Sequence, residues 1–396
     1  MGPQSDENYL TTAEVARRLK VKPETIYAYV SRGLLTSVRA RGRRGSLFAA
    51  ADVERLASKS VEHSGVVEQI ETELTLLKDD ELYYCGHSVR ELATSQSAES
   101  VAHLLWTGEL TDRQPFPVSR DSVLLARSAM NVLPDSARLT DRLRVAVAAL
   151  GAADPMRFDL TPRSVILAAE NLMGVLTAAL PGPVVAERSL GRRLWPKLAQ
   201  RTPHPEAREA VGPEVLEAAL ILLADHGLAV STVAARVAAS ARANLYAVVS
   251  AGLGALDGQY HGAAPTLAFE FLEKAQRDPL QALSDQLRSG EPVPGFGHRI
   301  YQNRDPRAEV LLTLLGDHPI VETIQVLSAR LTAFPNSDLA IAAMMHAFEF
   351  RADAGDAVFA LARIVGWTAH ALEEYAAPAL RFRALGIYTG VSGLEA

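Results

Sequence analysis

From residue 98 onward, apolar side chains recur at the three- and four-residue spacing of a helix face. "SAESVAHLLWTGEL", "DRLRVAVAALGAA", "PRSVILAAENLMGVLTAAL", "GPEVLEAALILLADHG" and "STVAARVAASARANLYAVVSAGLGAL" each carry that stripe and predict helix. Pro and Gly fall between segments at intervals suited to separate helices rather than one coiled coil. No repeat of about 20–50 residues and no low-complexity tract breaks the pattern. Ahead of these helices, "VVEQIETELTLL" and "ELYYCGHSV" read as short strands. At the other end, "TTAEVARRLKVKPETIYAYVSRGLL" predicts two short helices. Thr11 and Glu14 have capping-box spacing, and Ala13, Ala16 and Leu19 share one side. Pro23 suits the first turn of the second helix, Ile26, Tyr27 and Val30 are expected to pack inward, and Gly33 to end it. "SVRARGRRGSLF" predicts a hairpin with a basic Gly-rich tip, and "AADVERLA" a closing helix. The fold class is mostly α, with strand confined to that hairpin and to residues 66–90.

Composition adds bounds. The 396 residues suffice for two or three domains, and 48% hydrophobic with 22% charged is ordinary for a folded soluble chain. One cysteine, Cys85, excludes an internal disulfide framework and suits a reducing compartment. No apolar run is long enough to span a membrane, and "MGPQSDENYL" lacks a secretory signal's apolar segment, so a cytoplasmic location is expected. The formal net charge of −6 hides an asymmetry. Residues 9–60 hold eleven Lys and Arg against four Asp and Glu, a net +7 that leaves −13 elsewhere. Two bodies of opposite charge suggest two functions.

The basic head resembles a winged helix-turn-helix of the MerR/excisionase type over roughly residues 9–57. The resemblance places Thr25, Tyr27 and Tyr29 on or near the recognition helix, with Arg41, Arg43 and Arg44 reaching phosphates from the wing. DNA is the implied partner. A basic wing has little packing purpose, which weighs against a mere protein-docking module.

Five places in the body resist a packing explanation. His226 lies in "LADHGLAVST" near a predicted helix end, and His261 in the Gly-flanked turn "GALDGQYHGAAP". His298 sits in "PVPGFGHRIYQNRDPRAE", Asp338 in "AFPNSDLAIAAMMHAF" and Arg363 in "VFALARIVGWTAH". Singly, each has a bland reading: a histidine beside glycine is a turn residue, and Asp338 would make a good N-cap for the helix after it. The histidines lack any H-x-x-x-H or cysteine spacing, so no metal site is expected.

Taken in order, these segments resemble the citrate synthase family over roughly residues 62–390. "PGFGHRIYQNRDPR" is the most specific piece, flanked by "HLLWTGEL", "GWTAHALEE" and "RFRALGIYTG". The resemblance implies condensation of oxaloacetate with acetyl-CoA or propionyl-CoA, then thioester hydrolysis, with no permanently bound cofactor. A thioester's α-hydrogen is too weakly acidic for a carboxylate alone, so the forming enolate must receive a hydrogen bond as the C–H bond breaks. Asp338 matches the family's base, His261 the imidazole that donates to the thioester oxygen, and His298 the group that polarises the ketone. His226, Arg307, Arg363 and Arg383 match oxaloacetate-binding residues, Arg383 crossing to the second subunit of a homodimer. Phe359 matches a ring near the acyl group. Pro294, Gly295, Phe296 and Gly297 match the loop that approaches CoA.

The implied domains are a helix-turn-helix at 1–60, a large domain at 61–264 and 363–396, and a small domain at 265–362 that hinges over the cleft. Several positions depart from the family pattern. Asp225-His226 is followed by Gly227 where the family has Glu, and Ala229 stands at an asparagine's place. Gly262-Ala263-Ala264-Pro265-Thr266 replaces Gly-Gly-Ala-Asn-Glu. Arg383-Ala384-Leu385 replaces Arg-Pro-Arg, which makes Arg381 a substitute for Arg383. A second reading, a metabolite-responsive DNA-binding regulator, follows from the basic head and these departures.

Overall fold

The structure is a computed structural model that describes residues 9–19, 21, 23–31, 35–38, 46–50, 52–53, 70–183, 188–199, 205–258 and 264–382. The chain divides into two compact units, residues 72–379 and residues 1–71 with 380–396.

In the head, β1 (Tyr9–Thr11), α1 (Thr12–Arg18), α2 (Pro23–Ser31), β2 (Ser37–Val38) and β3 (Leu47–Ala49) follow in order. Thr11 caps α1 in the expected capping box with Glu14, and Pro23 opens α2. The hairpin register pairs Ser37 with Phe48 and Val38 with Leu47. Three expectations need correction. β1 adds an unforeseen strand, pairing Leu10 with Phe48 on the other edge of β3. Val15, not Ala13, joins Ala16 and Leu19 in the core with Ile26, Leu35, Phe48 and Val53. Tyr27 points outward, 60% exposed, because it lies one residue past Ile26 and so about 100° round the helix. Gly33, Arg41, Arg43 and Arg44 lie outside the described residues.

The body starts with a small antiparallel sheet, β4 (Thr75–Lys78), β5 (Glu81–Tyr84) and β6 (His87–Ser88), in that order. Helices follow: α3 (Val89–Ser95), α4 (Ala98–Thr107), α5 (Arg120–Met130), α6 (Leu139–Ala153), α7 (Pro162–Ala179), α8 (Leu190–Leu198) and α9 (Pro205–Leu222). Then come α10 (Val230–Ser240), α11 (Leu245–Leu256), α12 (Ala264–Ala275), α13 (Pro279–Ser289), α14 (Pro306–Leu315), α15 (Pro319–Ser328), α16 (Ser337–Ala347) and α17 (Ala354–Ala376). The single stripe read over 231–256 is two helices. Arg242 takes a left-handed φ of 60°, and Asn244 restarts the chain by accepting the Ala247 N–H.

α17 is the axis of the body. It is buried on nearly every side from Ala354 to Ala371, as a helix apolar all round must be. α4, α6, α7, α9, α10, α11, α12 and α16 all pack against it. The polar side chains it carries inward therefore need partners or a ligand. No helix among the described residues is long and apolar enough to cross a membrane.

Candidate active site

Two limbs carry the candidate residues. In the first, the loop from Val293 to Asp305 is zipped to the residues that open α16. Phe296 and Pro335 form an antiparallel bridge. The Gly297 N–H donates to Phe334 O at 2.8 Å, and the Asn336 N–H to Gly295 O at 2.9 Å. Asn336 Nδ2 donates to Gly297 O at 2.9 Å. Gly295 and Gly297 have φ of 80° and 78°, and a Cβ on Gly295 would sit 2.6 Å from Leu339 Cβ. Gly295 thus serves a close approach to α16 within the chain itself, and Gly297 a left-handed turn.

Asn336 also corrects the bland reading of Asp338. It is the N-cap of α16, its side chain accepting from the Asp338 and Leu339 N–H groups. The Asp338 carboxylate is left free of that duty. Burial pushes its pKa up to about 6, with Arg307 and Arg363 pulling down and Asp305 pushing up.

His298 is half-buried, and its Nδ1 accepts the Ile300 and Tyr301 N–H groups at 3.1 and 3.3 Å. A backbone N–H can only donate, so the ring's proton sits on Nε2. Burial, then Arg307, lower its pKa to about 4, and the imidazole is neutral at physiological pH. Arg307, in the first turn of α14, is gripped by the α14 N-cap Asp305 through Nε and Nη2 at 3.0 and 2.8 Å. Asp305 also accepts the Ser337 N–H at 2.9 Å, so one carboxylate ties the Arg307 fork to the Asp338 turn. Asp305 engages Nε and Nη2 and not Nη1.

The second limb is the turn after α9. His226 is buried, its Nε2 is 3.0 Å from Tyr301 Oη, and its ring lies edge-on to His298 at 5.2 Å between centroids. Burial, then Arg307, Arg363 and His298, hold it neutral. Asp225 locks the turn, accepting from Thr75 Oγ1 at 2.5 Å and from the Gly227 N–H at 2.9 Å. Tyr84 Oη donates to Asp225 O and accepts its N–H. Gly366 of α17 must be glycine here, since a Cβ would lie 2.4 Å from Ala224 O.

Behind the turn, His370 Nε2 lies 3.2 Å from Asp225 Oδ1. Its Nδ1 is 2.6 Å from Arg236 Nη1, and Arg236 pairs with Glu373 and Glu374. On α17, Arg363 donates from Nε to Leu223 O at 3.0 Å and lies 4.7 Å above the Phe359 ring. Its Nη1 is buried with no hydrogen-bond partner. A buried guanidinium N–H of this kind is a donor that a carboxylate would satisfy.

The structure therefore brings His226 and His298 together, with Arg307 and Arg363 acting on His226 and on Asp338 and Phe359 lying under Arg363. His261 and Arg383 lie outside the described residues. Arg381, offered as a substitute, stacks its guanidinium 5.1 Å from the Phe382 ring. Among the described residues no group of three His, Cys, Asp or Glu could hold a metal ion. Sequence reasoning missed Tyr301, Asp305, Asn336 and His370. Asp305 had a visible signal, an aspartate directly before Pro306 at a helix start. Asn336 had the same kind of signal, an asparagine just ahead of an apolar helix, whereas the partners of Tyr301 Oη and His370 Nε2 are distant in the chain.

The family model for the citrate synthase C-terminal domain matches residues 64–383, and a helix-turn-helix model matches residues 9–60. A 2-methylcitrate synthase of Mycobacterium tuberculosis is 31% identical over 394 residues, covering 90% of this chain and 97% of its own. A citrate synthase of Haloferax volcanii is 30% identical over 361 residues, covering 82% and 94%. The crystal structure of citrate synthase from Thermotoga maritima superposes with a TM-score of 0.66 at 25% identity, covering 83% of this chain and 96% of that one. On its fold, on the span of the matched model and on these relatives, the chain belongs to the citrate synthase family.

Proposed function

We propose that this chain condenses oxaloacetate with a short acyl-CoA, acetyl or propionyl, and hydrolyses the thioester to citrate or 2-methylcitrate and CoA. The supporting observation is Asp338: a carboxylate relieved of capping by Asn336, with its pKa raised to about 6 and two arginines nearby. Such a group is ionised at neutral pH yet basic enough to take a proton. Arg307 and Arg363 hold the two carboxylates of oxaloacetate, whose planar geometry suits guanidinium forks. His298 presents Nε2–H to the ketone, where charge builds as the carbon–carbon bond forms. His261 supplies the hydrogen bond to the enolate, and Arg383 completes the dicarboxylate site from the partner of a homodimer. Pro294 to Gly297 meet CoA, and residues 265–362 close over the cleft and exclude water.

Both relatives are synthases, one for each acyl chain, which favours the enzyme over the regulator. The two acyl chains differ by one methylene, a difference a pocket discriminates only weakly. Release of CoA from acetyl-CoA and from propionyl-CoA, each with oxaloacetate, tests the proposal. A folded full-length chain that releases CoA from neither would refute it. The head is proposed to bind DNA through α2, where Tyr27 stands exposed, and through the wing arginines. A salt-dependent mobility shift of duplex DNA is expected, and its absence at low salt would remove that part.

A further inference from the structure

One residue touches every described group that the condensation reading sets around oxaloacetate except Asp338, Arg363 and Phe359. Tyr301 is 2% exposed. Its main-chain N–H donates to His298 Nδ1, and its hydroxyl oxygen is 3.0 Å from His226 Nε2. Its ring lies 4.8 Å from the His298 ring and carries the Arg307 guanidinium at 5.4 Å. We propose that Tyr301 is the positioning residue of this site, pinning one nitrogen on each histidine so that both rings keep a single N–H for one dicarboxylate ligand. The inference rests on the condensation reading for the identity of that ligand.

For His298 the tautomer follows from donors that cannot accept. For His226 it follows from the charges around it. The ring is neutral, so it carries one proton. If that proton sat on Nε2 and pointed at Tyr301 Oη, Nδ1 would be a bare lone pair beside an anion held by Arg307 and Arg363. Donation by the Tyr301 hydroxyl to Nε2 removes that repulsion and puts the proton on Nδ1. The pinning is thus complementary: the Tyr301 main chain, beside that of Ile300, holds one ring and the Tyr301 side chain the other. A hydroxyl needs no carboxylate partner to do this, which keeps negative charge away from a dianion.

The experiment uses full-length chain with 15N-labelled histidine, and the Tyr301→Phe variant, which keeps the ring and main-chain N–H. In the parent with saturating oxaloacetate, His226 is expected as the Nδ1–H tautomer at pH 7. In the variant its two nitrogen resonances should move toward an exchanging mixture while those of His298 stay in place. The oxaloacetate KM should rise on the order of tenfold, the weight of one buried hydrogen bond, with kcat changed much less because the loss falls on binding. Tyr301→Leu, which also strips the ring from Arg307, should raise KM further.

A parent His226 in the Nε2–H form with oxaloacetate present overturns the proposal, and needs no variant to be made. So does a Tyr301→Phe chain whose His226 resonances do not move, whatever its KM. If the parent shows no turnover, the condensation reading fails, and the resonances alone still decide the role of Tyr301.

Discussion

The two limbs of the site solve one problem by different means. The limb bearing His298 and Asp338 is fixed by two short segments that satisfy each other directly, Gly295 and Gly297 bonding to Phe334 and Asn336, and Asp305 to Ser337. The limb bearing His226 keeps one local side-chain bond, the Gly227 N–H to Asp225, but no side-chain cap on the helix that follows. Ala229 is the N-cap of α10 with no side-chain bond, at the place of the family's asparagine. Its turn is held instead from afar, by Tyr84, Thr75 and the close approach of Gly366. The contrast teaches where perturbation should register. Changes at Asp338 and the residues that hold its turn should register in turnover, and changes in the turn after His226 in stability.

The largest effect is expected at Asp338. Asp338→Asn should lower kcat by on the order of a thousandfold, the range for a lost general base, while raising stability. The folded-state pKa is raised, so between the unfolded value near 4 and about 6 the native state holds a proton that the unfolded chain has shed. Stability falls as pH rises through that window and stays lowered above it. Asparagine removes a penalty of about 1–3 kcal/mol at pH 7–8. Denaturation melts at pH 7.5 check the sign. The parent should also lose kcat as pH falls through about 6; a profile flat to pH 5 would contradict Asp338 as base.

Next comes Asp305→Ala. It strands Arg307, 4% exposed, without its counterion, and should cost about 3–5 kcal/mol. Because the same carboxylate holds the Ser337 N–H, oxaloacetate KM and kcat should worsen together. A loss confined to stability would mean that Arg307 stays aimed without its grip.

What was legible in the sequence divides along the same line. The helices were readable because their apolar faces repeat locally, and Asp338, His298, Arg307 and Arg363 because each sits in a distinctive short motif. The bland account of Asp338 as an N-cap failed because Asn336 starts the helix two residues earlier, which puts Asp338 inside the first turn. Tyr301 and His370 were invisible since their roles depend on partners 75 and 145 residues away. The break at Arg242–Asn244 was hidden because arginine seldom signals a left-handed turn. A smaller effect probes this capping directly. Asn336→Ala removes the cap of α16 and the bond to Gly297 O, and should cost about 1–2 kcal/mol with kcat down roughly tenfold as Asp338 drifts. Stability loss without any change in kcat would show that Asp338 is placed by burial alone.

The smallest effects lie in the His226 turn and carry opposite signs. Ala229 has φ −62° and ψ 161°, the extended geometry in which an N-cap asparagine accepts an N–H from the first helical turn. Ala229→Asn should therefore stabilise the body by about 1 kcal/mol, seen as a raised urea midpoint at constant slope. Gly227, two residues earlier, has φ 65°, and a methyl added there would meet only Leu77 Cδ1, at 3.7 Å. Gly227→Ala meets no clash, so its cost of about 1 kcal/mol is purely that of a left-handed alanine. Together the pair isolates backbone preference from packing in one turn. If Ala229→Asn leaves the midpoint unmoved, the first turn of α10 is already satisfied by other groups. The long-range partners would then have replaced the lost side chain in full, and the two limbs would be equally well supported.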